Sequence, residues 1–121
     1  MSYERDLGNL GETIVANALQ RRGVRILERN FTVRGGEIDI IAEKDGILCF
    51  IEVKTRSARS ERFAQAKEYV NRTKQKRIIK AAKYYLYRTK SDLQPRFDVC
   101  EVVIEGGKLI KFCYTADAFG V

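Results

Sequence analysis

Histidine is absent from the 121 residues of this sequence, and cysteine is scarce, with three residues. Without histidine the chain has no imidazole base, no Ser-His-Asp or Cys-His nucleophile system and no histidine-ligated metal. A zinc site uses four nitrogen or sulfur ligands, which three thiols do not supply. Any metal bound here would therefore be held mainly by oxygen atoms, which favours Mg²⁺, Mn²⁺ or Ca²⁺.

Long apolar runs are also missing, since none approaches the roughly 20 residues that cross a bilayer. The first ten residues, MSYERDLGNL, lack the apolar segment of a secretory signal. Cys49, Cys100 and Cys113 each lie in an apolar, strand-like run and form no CxxC pair, which is typical of buried free cysteines. We therefore expect a cytoplasmic protein that is not a membrane protein.

Positive charge is in excess, with 23 Lys and Arg residues against 16 Asp and Glu residues, for a formal net charge of +7. Such an excess on a chain of this length indicates a polyanionic partner, either nucleic acid or an anionic membrane surface, or no specific partner at all. The length predicts a single domain, residues 1–121, with a core of its own.

The order of elements follows from periodicity and turn residues. Apolar residues at helical spacing predict helices over 4–22 and 67–89, and a polar loop is expected over 57–66. Asp45-Gly46 is a typical hairpin turn. Strands are predicted over 24–33, 37–43, 47–55, 96–104 and 109–114. The order α-β-β-β-α-β-β predicts an α/β fold with a mixed sheet flanked by helices.

Three charged residues interrupt the most strand-like part of the sequence. Alternation along a strand places Glu52 and Lys54 on one face, and the Asp45-Gly46 hairpin brings Asp39 opposite Glu52. An exposed polar face of a half-buried strand would give the same spacing. Against that, Asp39 stands among three isoleucines, where a charge needs a partner or a metal. Two carboxylates suit Mg²⁺ or Mn²⁺, and a lysine beside them suits phosphodiester hydrolysis.

These residues resemble the PD-(D/E)xK signature of restriction-endonuclease-like nucleases. Four segments resemble the YraN-like family, which is similar to archaeal Holliday-junction resolvases: Gly8-x-x-Gly11-Glu12, residues 36–42 (GEIDIIA), residues 52–56 (EVKTR) and residues 96–99 (RFDV). The resemblance covers about residues 5–119. It implies an αβββαβ core, a Mg²⁺- or Mn²⁺-dependent endonuclease, a duplex or branched DNA substrate and a homodimer.

The resemblance departs from the family pattern at two positions. Ile38 stands where the proline of the signature is expected. Phe63-Ala64 stands where the family tends to carry Phe-Gly, which leaves the shape of that loop open.

The resemblance also implies roles for residues outside the central trio. Glu12 would be a further catalytic acid and metal ligand, although it could equally be a solvated helix acid. Glu37 is either a group that supports the metal ligands or a surface acid. Thr55 and Arg56 either contact a phosphate or only end a strand, and Gln75 is a polar residue expected near the site.

A stripe of lysines, Lys76, Lys80 and Lys83, follows one side of the second predicted helix. It is either a solvated face or a track for the DNA backbone, and it has no acid after Glu68 to neutralise it within the helix. Tyr84, Tyr85 and Tyr87 could stack on bases, although Tyr85 lies on the apolar face of the helix and is expected in the core. Two other functions stay open: a nucleic-acid-binding module that keeps the nuclease fold without cutting, and a peripheral protein drawn to anionic lipid.

Overall fold

The computed structural model describes residues 3–58 and 70–121. A five-stranded sheet lies between two helices, α1 (Tyr3–Arg21) and α2 (Arg72–Thr89). Its strands are β1 (Arg25–Val33), β2 (Gly36–Lys44), β3 (Ile47–Ser57), β4 (Gln94–Glu105) and β5 (Lys108–Phe119). They lie side by side in chain order, with β3 and β4 parallel and the other pairs antiparallel. This confirms the predicted α/β class and its αβββαβ order, to which β5 adds a fifth strand. Neither helix in the described residues is long and apolar enough to cross a membrane.

Most predicted boundaries agree with the structure to within two residues, and two do not. Helix α2 begins at Arg72 rather than at residue 67, because the Asn71 side chain accepts the N–H of Lys74 at 2.9 Å and caps the helix there. Strand β5 continues five residues beyond the predicted end, to Phe119. Most of the predicted loop 57–66, including Phe63-Ala64, lies outside the described residues; Ser57 itself is the last residue of β3.

The Asp45-Gly46 turn forms as predicted. Asp45 has φ 51° and Gly46 has φ 81°, the left-handed conformation that a two-residue turn needs at both positions. The turn fixes the register of β2 against β3, with Lys44 opposite Ile47 and Ile41 opposite Phe50.

The sheet separates two apolar cores, and β3 runs between them. The α2-side core contains Phe50 and Ile78, and the α1-side core contains Val15 and Ile51. Residues Leu48 to Ile51 of β3 are all buried, as expected for a central strand covered on both faces. Glu52 follows this run directly, which explains why a carboxylate is buried there.

Strand alternation breaks in β1 beside the Asp39 position. The Arg29 side chain reaches Glu12 on α1, whereas Phe31, two residues further, packs on the α2-side core. In a regular strand these two side chains would share a face. Asn30 between them has φ 53°, so the change of face has a local backbone cause.

The same change of face occurs in β2. Ile38 belongs to the α2-side core, and Ile40, two residues further, belongs to the α1-side core. Strict alternation of side chains is therefore broken in this segment, because Ile38 and Ile40 pack on opposite faces of the sheet. Asp39 lies at the point where the strand changes face, between the two helical layers.

Two glycines of α1 make a matched pair for a packing test. A Cβ at Gly11 would overlap the Thr55 side chain of β3, whereas a Cβ at Gly8 would meet nothing within 4 Å. We expect Gly11→Ala to lower the free energy of unfolding by about 1–3 kcal/mol through overpacking. Gly8→Ala is expected to raise it by about 0.5–1 kcal/mol through helix propensity. Urea denaturation of both variants measures this, and equal effects would contradict the close approach of α1 to β3.

Candidate active site

Asp39 and Glu52 converge where β2 and β3 stop pairing. The ladder between the strands ends at Ile40 opposite Ile51, one step before the two acids. Beyond it, the Val53 N–H donates to Asp39 Oδ2 at 2.8 Å. Burial and the neighbouring Glu52 carboxylate raise the pKa of Asp39 to about 8. The predicted convergence of the two carboxylates is therefore observed.

Glu52 is buried and only half satisfied. The residue is 5% exposed, and its Oε2 forms an ion pair with Lys74 Nζ at 2.9 Å. Its Oε1 is buried and has no hydrogen-bond partner among the described residues. A buried carboxylate oxygen without a donor is costly unless a cation or a proton meets it.

Lys74 is a member of the site that the sequence analysis missed. It lies in the first turn of α2, where a positive charge is unfavourable because the helix dipole is positive at that end. Burial disfavours its charge, but Glu52, Asp39 and Glu37 outweigh this and raise the pKa of Lys74 above 10.5. One feature of the sequence could have indicated this role. The first turn of α2 contains no acid, so the charge of Lys74 had to be balanced by a residue of another element.

Glu12 is buried at 6% exposure, so its interpretation as a solvated helix acid is wrong. Its Oε1 lies 3.4 Å from Arg29 Nε on β1. Burial and the charge of Asp39 raise the pKa of Glu12, and Arg29 opposes this. Glu12 therefore stands within electrostatic reach of Asp39, with Arg29 as its ion-pair partner.

Lys54, Thr55 and Arg56 continue β3 beyond Glu52, and all three are half-buried. Lys54 lies beside Glu101 on β4, and Arg56 Nε lies 3.7 Å from Glu101 Oε2. Thr55 packs under Gly11 of α1, and its hydroxyl is buried without a hydrogen-bond partner in the described parts of the chain. Burial raises the pKa of Glu101, and the cations Arg56, Lys111 and Lys54 oppose it.

Two further residues were predicted near the site, Glu37 and Gln75, and only Glu37 has an observed interaction with a site residue. Glu37 contributes to the raised pKa of Lys74, so it is close to the ion pair that holds Glu52. Gln75 Nε2 donates to the Val70 carbonyl at 2.8 Å, on the segment just before α2. Its observed hydrogen bond serves the start of the helix, and its predicted role at the site stays a prediction.

Lys76, Lys80 and Lys83 are exposed on α2, as the stripe pattern predicts. Tyr84 and Tyr87 are exposed as well, whereas Tyr85 is buried against Phe31 and Phe50. The outward side of α2 is thus basic and aromatic.

Asp98 belongs to a separate buried cluster. Arg96 donates to both of its carboxylate oxygens, at 2.9 and 3.0 Å, and Tyr114 and the Asp117 N–H also donate to it. Because this carboxylate is fully buried and accepts four hydrogen bonds, its contacts account for it as a structural residue. All three cysteines are free, with Cys49 and Cys100 buried and Cys113 half-buried.

The donor set fits a hard divalent cation at the Asp39–Glu52 pair. Mg²⁺ uses one or two protein carboxylates, keeps several waters and takes further oxygens from a phosphate. The pair offers two such carboxylates, and Oε1 of Glu52 has no hydrogen-bond partner among the described residues. Across residues 3–58 and 70–121, no group of three or more acids and cysteines is assembled to hold a metal. Asp39 and Glu52 would therefore be the ligands. Glu12, which was predicted as a third ligand, lies near them but forms its ion pair with Arg29.

Fold and site together define a mixed α/β protein in which a half-buried and a buried carboxylate, Asp39 and Glu52, converge where two central strands separate. The chain matches the family model described as uncharacterised protein family UPF0102 over residues 11–102, and it belongs to that family. This confirms the predicted YraN-like kinship.

Relatives in three bacteria match nearly the whole chain. A UPF0102 protein of Clostridium perfringens (strain SM101 / Type A) is 46% identical over 122 residues, covering 98% of each chain. One of Dictyoglomus thermophilum is 43% identical over 117 residues, covering 95% of this chain and 98% of its own. One of Flavobacterium psychrophilum is 40% identical over 119 residues, covering 98% of each.

Proposed function

We propose that this protein is a divalent-metal-dependent nuclease of the PD-(D/E)xK superfamily that hydrolyses DNA phosphodiester bonds. One observation carries the proposal: the half-buried Asp39 and the buried Glu52 converge, and when both are ionised Oε1 of Glu52 has no hydrogen-bond donor among the described residues. Two carboxylates held this close repel each other, and a divalent cation between them would relieve that repulsion.

The position of each residue in the site indicates the role that it would have in hydrolysis. Asp39 and Glu52 would hold Mg²⁺ or Mn²⁺, which lowers the pKa of a bound water and withdraws charge from the phosphoryl group. Lys54, two residues beyond Glu52 on β3, would orient the attacking water or stabilise the developing negative charge. Glu12 and Glu37 border the pair and would tune its charge.

The exposed basic side of α2 supports DNA as the polyanion. Lys76, Lys80 and Lys83 would contact phosphates, which gives affinity without sequence preference. The extension to branched DNA and to a homodimer with two sites on two strands rests on resemblance to junction resolvases.

The decisive experiment is cleavage of labelled duplex, single-stranded and four-way-junction DNA with Mg²⁺ or Mn²⁺. We expect cleavage by the wild type, and a loss of at least about 10³-fold in Asp39→Asn and Glu52→Gln, because both replace a metal-binding carboxylate. Asp45→Asn, at the tip of the β2–β3 hairpin, is the matched control and should cleave normally. Metal-dependent cleavage that survives in both site variants would overturn the proposal. Binding without cleavage on every substrate would instead make the chain a non-catalytic binding module.

The lysine stripe gives a separate, salt-dependent prediction. Replacing Lys76, Lys80 and Lys83 together with Ala should reduce the slope of log affinity against log salt by about 0.9 for each phosphate that the variant no longer neutralises. Lys108→Ala with Lys111→Ala, exposed on β5 at the opposite edge of the sheet, is the control. Fluorescence anisotropy over a salt series measures the slope. An unchanged slope in the triple variant would show that the stripe does not bind the DNA backbone.

A further inference from the structure

A groove of about 510 Å³ lies between α2 and β1, away from the acidic pair. It is of the size that small ligands occupy in proteins. Strand β1 is at the edge of the sheet, so the groove is bounded by a strand with one unpaired side. Its walls are the three β1 residues Phe31, Thr32 and Val33, the following Arg34, and Lys80, Tyr84 and Arg88 of α2.

The lining combines cations with aromatic rings. Arg34, Lys80 and Arg88 are all exposed, and among the described residues the lining includes no acid. Glu28 lies in the adjoining cavity, which shares Arg88 with the groove. Tyr84 is 47% exposed although its ring centroid lies 6.4 Å from that of Phe31. An exposed ring beside three cations is complementary to a ligand that has both a flat π-face and negative charge.

We propose that this groove binds an unpaired nucleotide of a nucleic-acid strand, with the base stacked on Tyr84 and the phosphates held by Arg34, Lys80 and Arg88. The choice of nucleic acid rests on the proposed function, and the groove adds to it a preference for substrates with single-stranded segments. Stacking on an aromatic side chain stabilises an unpaired base by about 1–3 kcal/mol, and a paired base inside a duplex cannot gain it.

The position of the groove relative to the acidic pair fits one continuous strand. Lys74 holds Glu52 at the start of α2, and Tyr84 lies ten residues further along the same helix. That separation is about 15 Å along the helix axis at 1.5 Å per residue. At roughly 3.4 Å per nucleotide, four or five nucleotides cover it. The groove would therefore hold the unpaired part of a strand whose scissile phosphate lies at the acidic pair.

The test measures binding in the presence of a chelator, so that metal-dependent cleavage cannot interfere. The probes are a labelled short oligothymidine and a blunt duplex. Tyr84→Ala should weaken oligothymidine binding about tenfold, which corresponds to 1.4 kcal/mol, and should change duplex binding little. Tyr84→Phe keeps the ring and should bind like the wild type. Ile110→Ala, exposed on β5 at the opposite edge of the sheet and outside the groove, is the control.

The contrary outcomes are distinct. If Tyr84→Ala binds oligothymidine as tightly as Ile110→Ala does, or loses as much affinity for duplex as for oligothymidine, Tyr84 is not a stacking site. If Tyr84→Ala instead changes the sedimentation coefficient and leaves oligothymidine affinity unchanged, the groove is an interface between copies of the chain and the proposal is wrong. If oligothymidine binding depends on Tyr84 but the protein cleaves no DNA, the groove proposal holds and the nuclease proposal is wrong. If the protein cleaves DNA but binding does not depend on Tyr84, the nuclease proposal holds and the groove proposal is wrong.

Discussion

Asp39→Asn is expected to make the metal-free protein more stable and, at the same time, unable to gain stability from Mn²⁺. Asn keeps a carbonyl oxygen that can accept the Val53 N–H, so the observed 2.8 Å hydrogen bond has a replacement. What the substitution removes is a half-buried carboxylate whose ionisation is opposed by partial burial and by Glu52. We expect the free energy of unfolding at pH 8 to rise by about 1–3 kcal/mol.

The pH dependence of stability follows from the same shift. A carboxyl with a pKa near 8 in the folded protein and near 3.8 in the unfolded chain binds its proton more tightly when folded. Its contribution is fully present below about pH 4 and is lost as the pH rises through 8. Wild-type stability should therefore fall as the pH rises from 4 to 8, by about the 1–3 kcal/mol that Asp39→Asn restores at pH 8. Asp39→Asn should flatten that fall.

Saturating Mn²⁺ should reverse the effect in the wild type. A ligand at one hundred times its Kd stabilises the folded state by about 2.7 kcal/mol, and at pH 8 the ion binds the ionised pair. Urea denaturation at pH 5 and pH 8, with Mn²⁺ and with chelator, gives all the values. Asp45→Asn, in the exposed hairpin turn where Asn is equally suited, is the control and should behave as the wild type. An Asp39→Asn protein that is less stable at pH 8, or as strongly stabilised by Mn²⁺, would contradict this description of the pair.

The order of elements was predictable because it depends on local patterns. Helical periodicity, the Asp45-Gly46 turn and the apolar runs each act within a few residues, so they survive without knowledge of the fold. The convergence of Asp39 and Glu52 was also predictable, since the hairpin register fixes which residues face each other. The turn and the convergence of the two acids need only the chain between residues 36 and 56.

The parts that escaped prediction depend on contacts between distant segments. The left-handed Asn30 in β1 accompanies a change of face in β2, and neither strand shows it alone. Glu12 is buried because α1 approaches β3 closely at Gly11. A helical wheel of α1 cannot show this approach, because it contains no residue of β3. Lys74 meets Glu52 across the space between helix and sheet. Patterns within one element carry no record of such contacts.

The Lys74–Glu52 pair gives the second prediction with a large expected effect. Lys74→Met should destabilise the metal-free protein, because it leaves the Glu52 carboxylate, whose side chain is 6% exposed, without its counterion. A fully buried pair broken on one side costs about 3–5 kcal/mol, but the Lys74 side chain is 41% exposed, so water screens part of the interaction. We expect a loss of about 1–2 kcal/mol.

The same variant should bind Mn²⁺ more tightly. The lysine ammonium and the metal both neutralise Glu52, so removing the ammonium removes a competing cation. A change of about 1.4 kcal/mol corresponds to a tenfold increase in affinity. The two effects oppose each other, and saturating Mn²⁺ should bring the stability of Lys74→Met back toward that of the metal-bound wild type.

Isothermal titration with Mn²⁺ and urea denaturation with chelator measure the two effects on one preparation. Lys76→Met is the matched control, because it removes an exposed lysine two positions along α2. It should leave both stability and Mn²⁺ affinity unchanged within about 0.5 kcal/mol. If Lys74→Met binds Mn²⁺ more weakly than the wild type, the ammonium does not compete with the cation. Lys74 would then help to assemble the acidic pair, since only a residue that supports the ligands lowers metal affinity when it is removed.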